Sequence, residues 1–211
     1  MEKKMDVRLL SQMALLTALM LVMAFTPLGY IPLPFMNATT MHIPVIIGAC
    51  LLGPKMGGIL GGLFGVTSVL KATITPKLTS FVFTPFYSFS PEFHGSWTSL
   101  IVAIVPRILI GIAAGLVFQG LCKFVRNETI SLAIAGFVGS LVNTIGVMGL
   151  IYLLFGEQYA AAGGTSPELL LGVIIGVVGM NGVPEAVIAA VLTAAVCKAL
   201  LAVTRRSMTR A

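Results

Sequence analysis

The sequence predicts an all-α integral membrane bundle of six transmembrane helices with both termini cytoplasmic. Three observations carry that expectation: the composition, the lengths of the apolar runs and the placement of the cations. Of 211 residues, 57% are hydrophobic and only 9% are charged, and the mean hydropathy is +1.04. A soluble domain is about a quarter charged, so this chain lacks the polar side chains to cover a water-facing surface. The same composition excludes a disordered chain. Its 23 Gly and 11 Pro fit the class, because both residues are more frequent in membrane helices than in soluble ones.

Residues 1–211 read as one transmembrane domain. The first span covers about 8–26 and is stopped by Pro27, Gly29, Pro32 and Pro34. Its apolar run is longer than the core of a signal peptide, so it reads as an uncleaved helix. A second, short span covers about 41–52 and ends at Gly53-Pro54-Lys55; the third covers about 56–71. Both are short for a bilayer and are expected to be shielded by neighbours. A polar and aromatic loop follows from Ala72 to Trp97, then spans at about 98–121 and 130–155. The last apolar stretch, Pro167 to Val203, would be roughly 55 Å long as a single helix, nearly twice the hydrocarbon thickness. It is interrupted by Asn181-Gly182-Val183-Pro184. It reads either as two spans, or as an outer helix at about 167–180 followed by one span at about 184–203.

Charge placement chooses between them. With six spans, ten of the 13 cations face inside: Lys3, Lys4, Arg8, Lys55, Lys123, Arg126, Lys198, Arg205, Arg206 and Arg210. Lys71 and Lys77 face outside and Arg107 lies within a span. A seventh span would move the four C-terminal cations outside, against the positive-inside rule. The net charge of +6 therefore marks topology. No cationic face with interleaved aromatics is present, so nucleic acid is not an expected partner. Cys50, Cys122 and Cys197 each stand alone in apolar sequence, which points to neither a disulfide framework nor a zinc site.

Small residues at four-residue spacing let helix backbones approach closely where lipid removes the hydrophobic drive. Gly57, Gly61 and Gly65 stand at that spacing, as do Gly111 with Gly115 and Gly172 with Gly176. All are expected to pack helices internally. Ala14 and Ala18 share one side of the first helix near its cytoplasmic end, where an external partner helix is an alternative to internal packing.

Polar groups at membrane depth are costly and so mark function or pairing. Arg107 follows Pro106 and lies about 15 Å inside the fourth span from its outer end. Two readings stand for it: pairing with Glu185 or helix carbonyls, or a planar fork aimed at an anionic substrate group. Asn143 and Asn181 either tie helices together or line the same pocket. Asn181 also suits capping of a helix that starts at Pro184, with Glu185 at its positive end. A polar pocket between the fourth, fifth and sixth spans, open outward, is the expectation. Thr39 and His42 lead into the second span, and His42 has no partner at metal-ligand spacing. Lys71 either snorkels or reaches the pocket. Tyr87 belongs to an aromatic run (Phe81, Phe83, Phe86, Phe89, Trp97) that reads as an interfacial belt or as a lid. No phosphate-cradling loop, nucleophile elbow, HExxH or paired carboxylate occurs within a span, so neither an enzyme nor a bound cofactor is expected.

In its size, span count, glycine content and Ala14-xxx-Ala18 motif, the chain resembles the substrate-binding S components of energy-coupling factor (ECF) vitamin transporters. Met41-His42-Ile43-Pro44-Val45 and Leu52-Gly53-Pro54-Lys55-Met56-Gly57-Gly58 are similar to that family's second-to-third helix segment. Leu78 to Phe86, Val105-Pro106-Arg107 and Asn181-Gly182-Val183-Pro184-Glu185 look most like its pantothenate-type branch. The resemblance covers about Leu9 to Leu200. It implies a multi-pass protein of the bacterial cell membrane that captures a vitamin. ATP hydrolysis would come from two cytoplasmic ATPases, which form the ECF module with a transmembrane coupling subunit. Ala14 and Ala18 would be the docking face for that subunit. For pantothenate, Arg107 would take the carboxylate, and Asn143 and Asn181 the hydroxyls and amide. Riboflavin, folate or a thiamin precursor are alternative ligands, and a small stand-alone secondary transporter titrating Glu185 is the rival mechanism.

Overall fold

The structure is a computed structural model that describes residues 7–32, 37–88, 90 and 93–208. Helix dominates. In chain order the helices are α1 (Val7–Phe25), α2 (His42–Leu52), α3 (Pro54–Ile74), α4 (Thr98–Phe124), α5 (Glu128–Ala162), α6 (Leu170–Val177) and α7 (Val183–Met208). Among the described residues, five helical stretches are long and apolar enough to cross a membrane: α1, α3, α4, α5 and the run Pro167–Ala202 that holds α6 and most of α7. The chain is thus a multi-pass helical membrane protein. The short apolar α2 lies at the centre of the bundle, with every residue from His42 to Cys50 buried. Eleven residues give only about 16 Å of helix. So short a segment is tolerated at membrane depth because protein, not lipid, surrounds it.

α3 and α4 pack through their glycines. A Cβ built at Gly111 would stand 2.0 Å from the Gly57 carbonyl oxygen, and one at Gly115 would meet Pro54. Only hydrogen at these positions lets the two backbones touch. At the other end of the sequence the expectation fails: Cβ atoms at Gly172 and Gly176 would meet nothing within 4 Å. Their spacing matches that of the packed glycines, but the face of α6 that carries them turns away from the bundle.

Two further features depart from the sequence reading. Tyr30–Pro32 (β1) and Asn37–Thr39 (β2) form a small antiparallel hairpin, with Tyr30 opposite Thr39, in what reads as an all-α chain. The break expected at 181–184 is absent: a π-helical segment, Val178–Gly182, joins α6 to α7. A π turn absorbs one extra residue without ending the helix, and Pro184 follows directly after it, as the second residue of α7.

The buried apolar residues form two clusters. The larger is built around α2 and joins Met20, Phe64, Ile110 and Leu132. The smaller joins Phe81, Val102, Ile151, Phe155 and Leu170. The segment just after α3 is held onto that second cluster by hydrogen bonds as well as burial. Ser99 Oγ donates to the Phe81 carbonyl at 2.7 Å, and the Lys77 N–H donates to Ser80 Oγ at 2.7 Å. Phe81 is fully buried and edge-on to Phe155, their ring centroids 6.1 Å apart.

Candidate functional site

A cavity opens between these two clusters, its empty space about 620 Å³ with the open mouth included. Its walls come from the hairpin, α3, the segment just after α3, α4 and α5. Tyr30 and Thr39 contribute from the hairpin, Ser68, Lys71 and Ala72 from α3, and Lys77, Thr79, Ser80 and Phe83 from the following segment. Arg107 comes from α4, and Met148, Ile151 and Tyr159 from α5.

Arg107 is 4% exposed, and its surroundings are built by local sequence. Pro106 has no N–H, so the carbonyl four residues back, that of Val102, loses its helical donor. Arg107 Nη1 donates to that carbonyl at 2.8 Å. The guanidinium carbon stands 5.4 Å from the Phe64 ring centroid and 5.3 Å from that of Phe83, so aromatic rings flank the charge. Arg107 Nε is buried without a hydrogen-bond partner. The side chain makes no ion pair with Glu185 among the described residues, so of the two structural partners considered, only the helix carbonyl is present.

The hairpin is tied to α3 beside this charge. Tyr30 Oη lies 3.2 Å from Thr67 Oγ1 and 3.2 Å from Ser68 Oγ. Its ring tilts against Phe64 at 6.3 Å. Burial pushes the Tyr30 phenol above its ordinary pKa, partly offset by the Ser68 and Thr67 hydroxyls and by Arg107. Tyr30 is therefore a neutral hydroxyl at physiological pH. Lys77, just beyond α3, is held below the ordinary lysine value by partial desolvation.

Of the expected site residues, Arg107, Lys71 and Thr39 line the cavity, and Thr39 Oγ1 is buried with no hydrogen-bond partner. Asn143, Asn181, Glu185, Tyr87 and His42 do not line it. Asn143 is buried on α5 with its carboxamide oxygen unpartnered, and Asn181 sits in the π segment. Glu185, near the start of α7, lies beside the Thr39 backbone N–H. His42 is 1% exposed at the start of α2. The Thr39 backbone lies beside its ring, but neither ring nitrogen reaches a partner at hydrogen-bonding geometry. Tyr87 packs against the smaller cluster. Sequence depth puts Asn143, Asn181 and Glu185 at a level similar to Arg107, but depth does not fix the direction a side chain takes around its helix.

Sequence reading missed Tyr30, Ser68 and Tyr159, and offered Phe83 only as one of the aromatic run. Ser68 had a usable signal, because it lies three residues before Lys71 and four after Phe64 and so shares their face of α3. Tyr30 had none, since only the folded hairpin brings it to Thr67 and Ser68. The aromatic run divides: Phe81 is buried, Phe83 lines the cavity, and Phe86 and Trp97 are exposed and pack edge to face at 6.4 Å. On α1, Ala14 and Ala18 are both exposed, on a helix that is the least buried of the long ones.

The family described as "ECF transporter, substrate-specific component" matches residues 8–197. The "Pantothenic acid transporter PanT" of Lactococcus lactis subsp. cremoris is 36% identical over 200 residues, 94% of either chain. The "Pantothenate transporter PanT" of Leuconostoc mesenteroides subsp. mesenteroides is 31% identical over 200 residues, 90% of either chain.

Proposed function

The chain belongs to the family of ECF transporter substrate-specific components, and from that premise we propose that it is the membrane-embedded subunit that captures pantothenate for import. It is a transport component rather than an enzyme, and it works with an ECF module on a small-molecule substrate. In this reading the module is a transmembrane coupling subunit with two cytoplasmic ATPases, and the setting is the bacterial plasma membrane. The chain crosses six times, through α1 to α5 and α7, with both termini inside. The ten cations assigned to one side support that topology.

Pantothenate offers one carboxylate, one amide and two hydroxyls. The observation that carries the assignment is a buried guanidinium, unpaired by any carboxylate among the described residues, at the wall of a hydroxyl-lined cavity. Arg107 takes the ligand carboxylate, since a charge desolvated between Phe64 and Phe83 gains most from an anionic partner. Tyr30, Ser68 and Thr39 face the polar middle of the ligand, and Met148 and Ile151 face its gem-dimethyl group. Lys71 lies farther along the same wall. Asn143, Asn181, Glu185, His42 and Tyr87 stand back from the cavity and receive no ligand contact in this reading.

Ala14 and Ala18 form the docking face for the coupling subunit. Their exposure on α1 supports this, because small side chains there leave room for a foreign helix. The deciding experiment is native mass spectrometry of the purified chain. A retained small molecule with the mass of pantothenate is expected. Retention of riboflavin, folate or a thiamin precursor in its place would overturn the assignment.

A further inference from the structure

The cavity holds more positive charge than a monocarboxylate needs. Lys71 and Lys77 line it together with Arg107, and no Asp or Glu lines it among the described residues. The Lys71 side chain is half-buried, on the α3 face that also carries Ser68 and, one turn further down, Phe64 against the Arg107 guanidinium. Seven residues separate Phe64 from Lys71, about 10 Å of helix rise. Lys71 thus joins the cavity wall about two turns of α3 beyond the ring that flanks Arg107, with Ser68 on the same face between them.

Extended, pantothenate spans about 10 Å from its carboxylate to its terminal hydroxyl, eight bonds away. With the carboxylate on Arg107, a ligand of that length laid along α3 brings its terminal hydroxyl to the part of the wall that Lys71 lines. A neutral hydroxyl makes poor use of an ammonium, whereas a phosphoryl group makes strong use of one. We propose that Lys71 forms a second anion position, so that the cavity also takes pantothenate phosphorylated on its terminal hydroxyl: a ligand with a carboxylate at one end and a phosphate monoester at the other. The proposal rests on the pantothenate reading above. It adds a ligand class, and it makes Lys71 the residue that sets the preference between the two ligands.

The test is competition calorimetry on the purified full chain at pH 7.5, where the phosphate monoester is largely dianionic. The phosphorylated ligand is expected to displace pantothenate. Lys71→Gln is expected to shift the ratio of the two affinities by about tenfold against the phosphorylated ligand, and Lys71→Arg to restore it. If pantothenate binds and a hundredfold excess of the phosphorylated ligand leaves it bound, the second anion position is refuted while the pantothenate reading stands. An unchanged ratio in Lys71→Gln refutes the role of that lysine. Failure of the parent chain to bind either ligand refutes the pantothenate reading itself.

Discussion

The Arg107 carbonyl oxygen lies where a side chain on Gly61 would begin: a Cβ there would stand 2.0 Å from it. Close approach of α3 to α4 at this point is what brings Phe64, three residues on, over the Arg107 guanidinium. Gly61→Ala must push backbone against backbone, which has no flexible side chain to yield. A loss of about 1–3 kcal/mol in stability is expected, together with weaker ligand binding as the charge shifts from the cavity wall. Thermal melting and calorimetry in detergent read both effects. Gly172→Ala, which adds its methyl to open space inside a helix, should leave binding unchanged and melting unchanged or slightly raised.

Arg107→Ala should weaken pantothenate binding by about 2–3 kcal/mol, the worth of a charge-assisted hydrogen-bonded pair out of water. Arg107→Lys should recover only part of this, because an ammonium neither stacks between two rings nor presents a fork. Unchanged affinity in Arg107→Ala would remove the carboxylate role.

Pro106→Ala would return an N–H to the helix at the position that normally bonds the Val102 carbonyl, in competition with Arg107 Nη1, now 2.8 Å from that oxygen. Helix stability should hold or rise, while ligand affinity falls as the guanidinium loses its anchor. Parallel measurement of melting temperature and Kd separates the two effects. A fall in both would mean that the proline serves packing alone.

Ala14→Trp and Ala18→Trp add bulk to an exposed face of α1. Uptake by cells should be blocked while the isolated protein binds ligand as before, since α1 contributes nothing to the cavity wall. Pull-down of the ATPase subunits reports the same loss directly. If uptake persists, the docking face lies elsewhere.

Binding should weaken below about pH 4.5, where the ligand carboxylate takes up a proton, and stay flat through the physiological range. The alkaline side is set by Tyr30, whose phenol is raised by burial. A raised acid favours the protonated, neutral form in the fold, so its contribution to stability is complete below the ordinary tyrosine value of about 10 and is lost as pH climbs through the higher folded value. Calorimetry and melting across pH 3.5 to 11 check the profile, and Tyr30→Phe should reduce the pH dependence on the alkaline side.

The fold was largely legible because apolar run length and proline position act locally. The expected span at about 98–121 is the helix Thr98–Phe124, and that at about 130–155 is contained in Glu128–Ala162. Glycine spacing was legible for α3 and α4 but not for α6, since an identical pattern serves packing or lipid according to the way the helix is turned. Arg107 and the carbonyl freed by Pro106 were readable from neighbouring residues; Tyr30, bonded to groups 37 and 38 positions away, was not.

The sequence by itself determined a membrane bundle, its punctuation and the burial of one guanidinium, because each of these follows from composition and backbone chemistry within a few residues. The tertiary structure decided which hydroxyls, aromatics and second cation share a cavity with that guanidinium. Helix rotation and the docking of the hairpin fix those neighbours, and both are set by contacts between residues far apart in the chain.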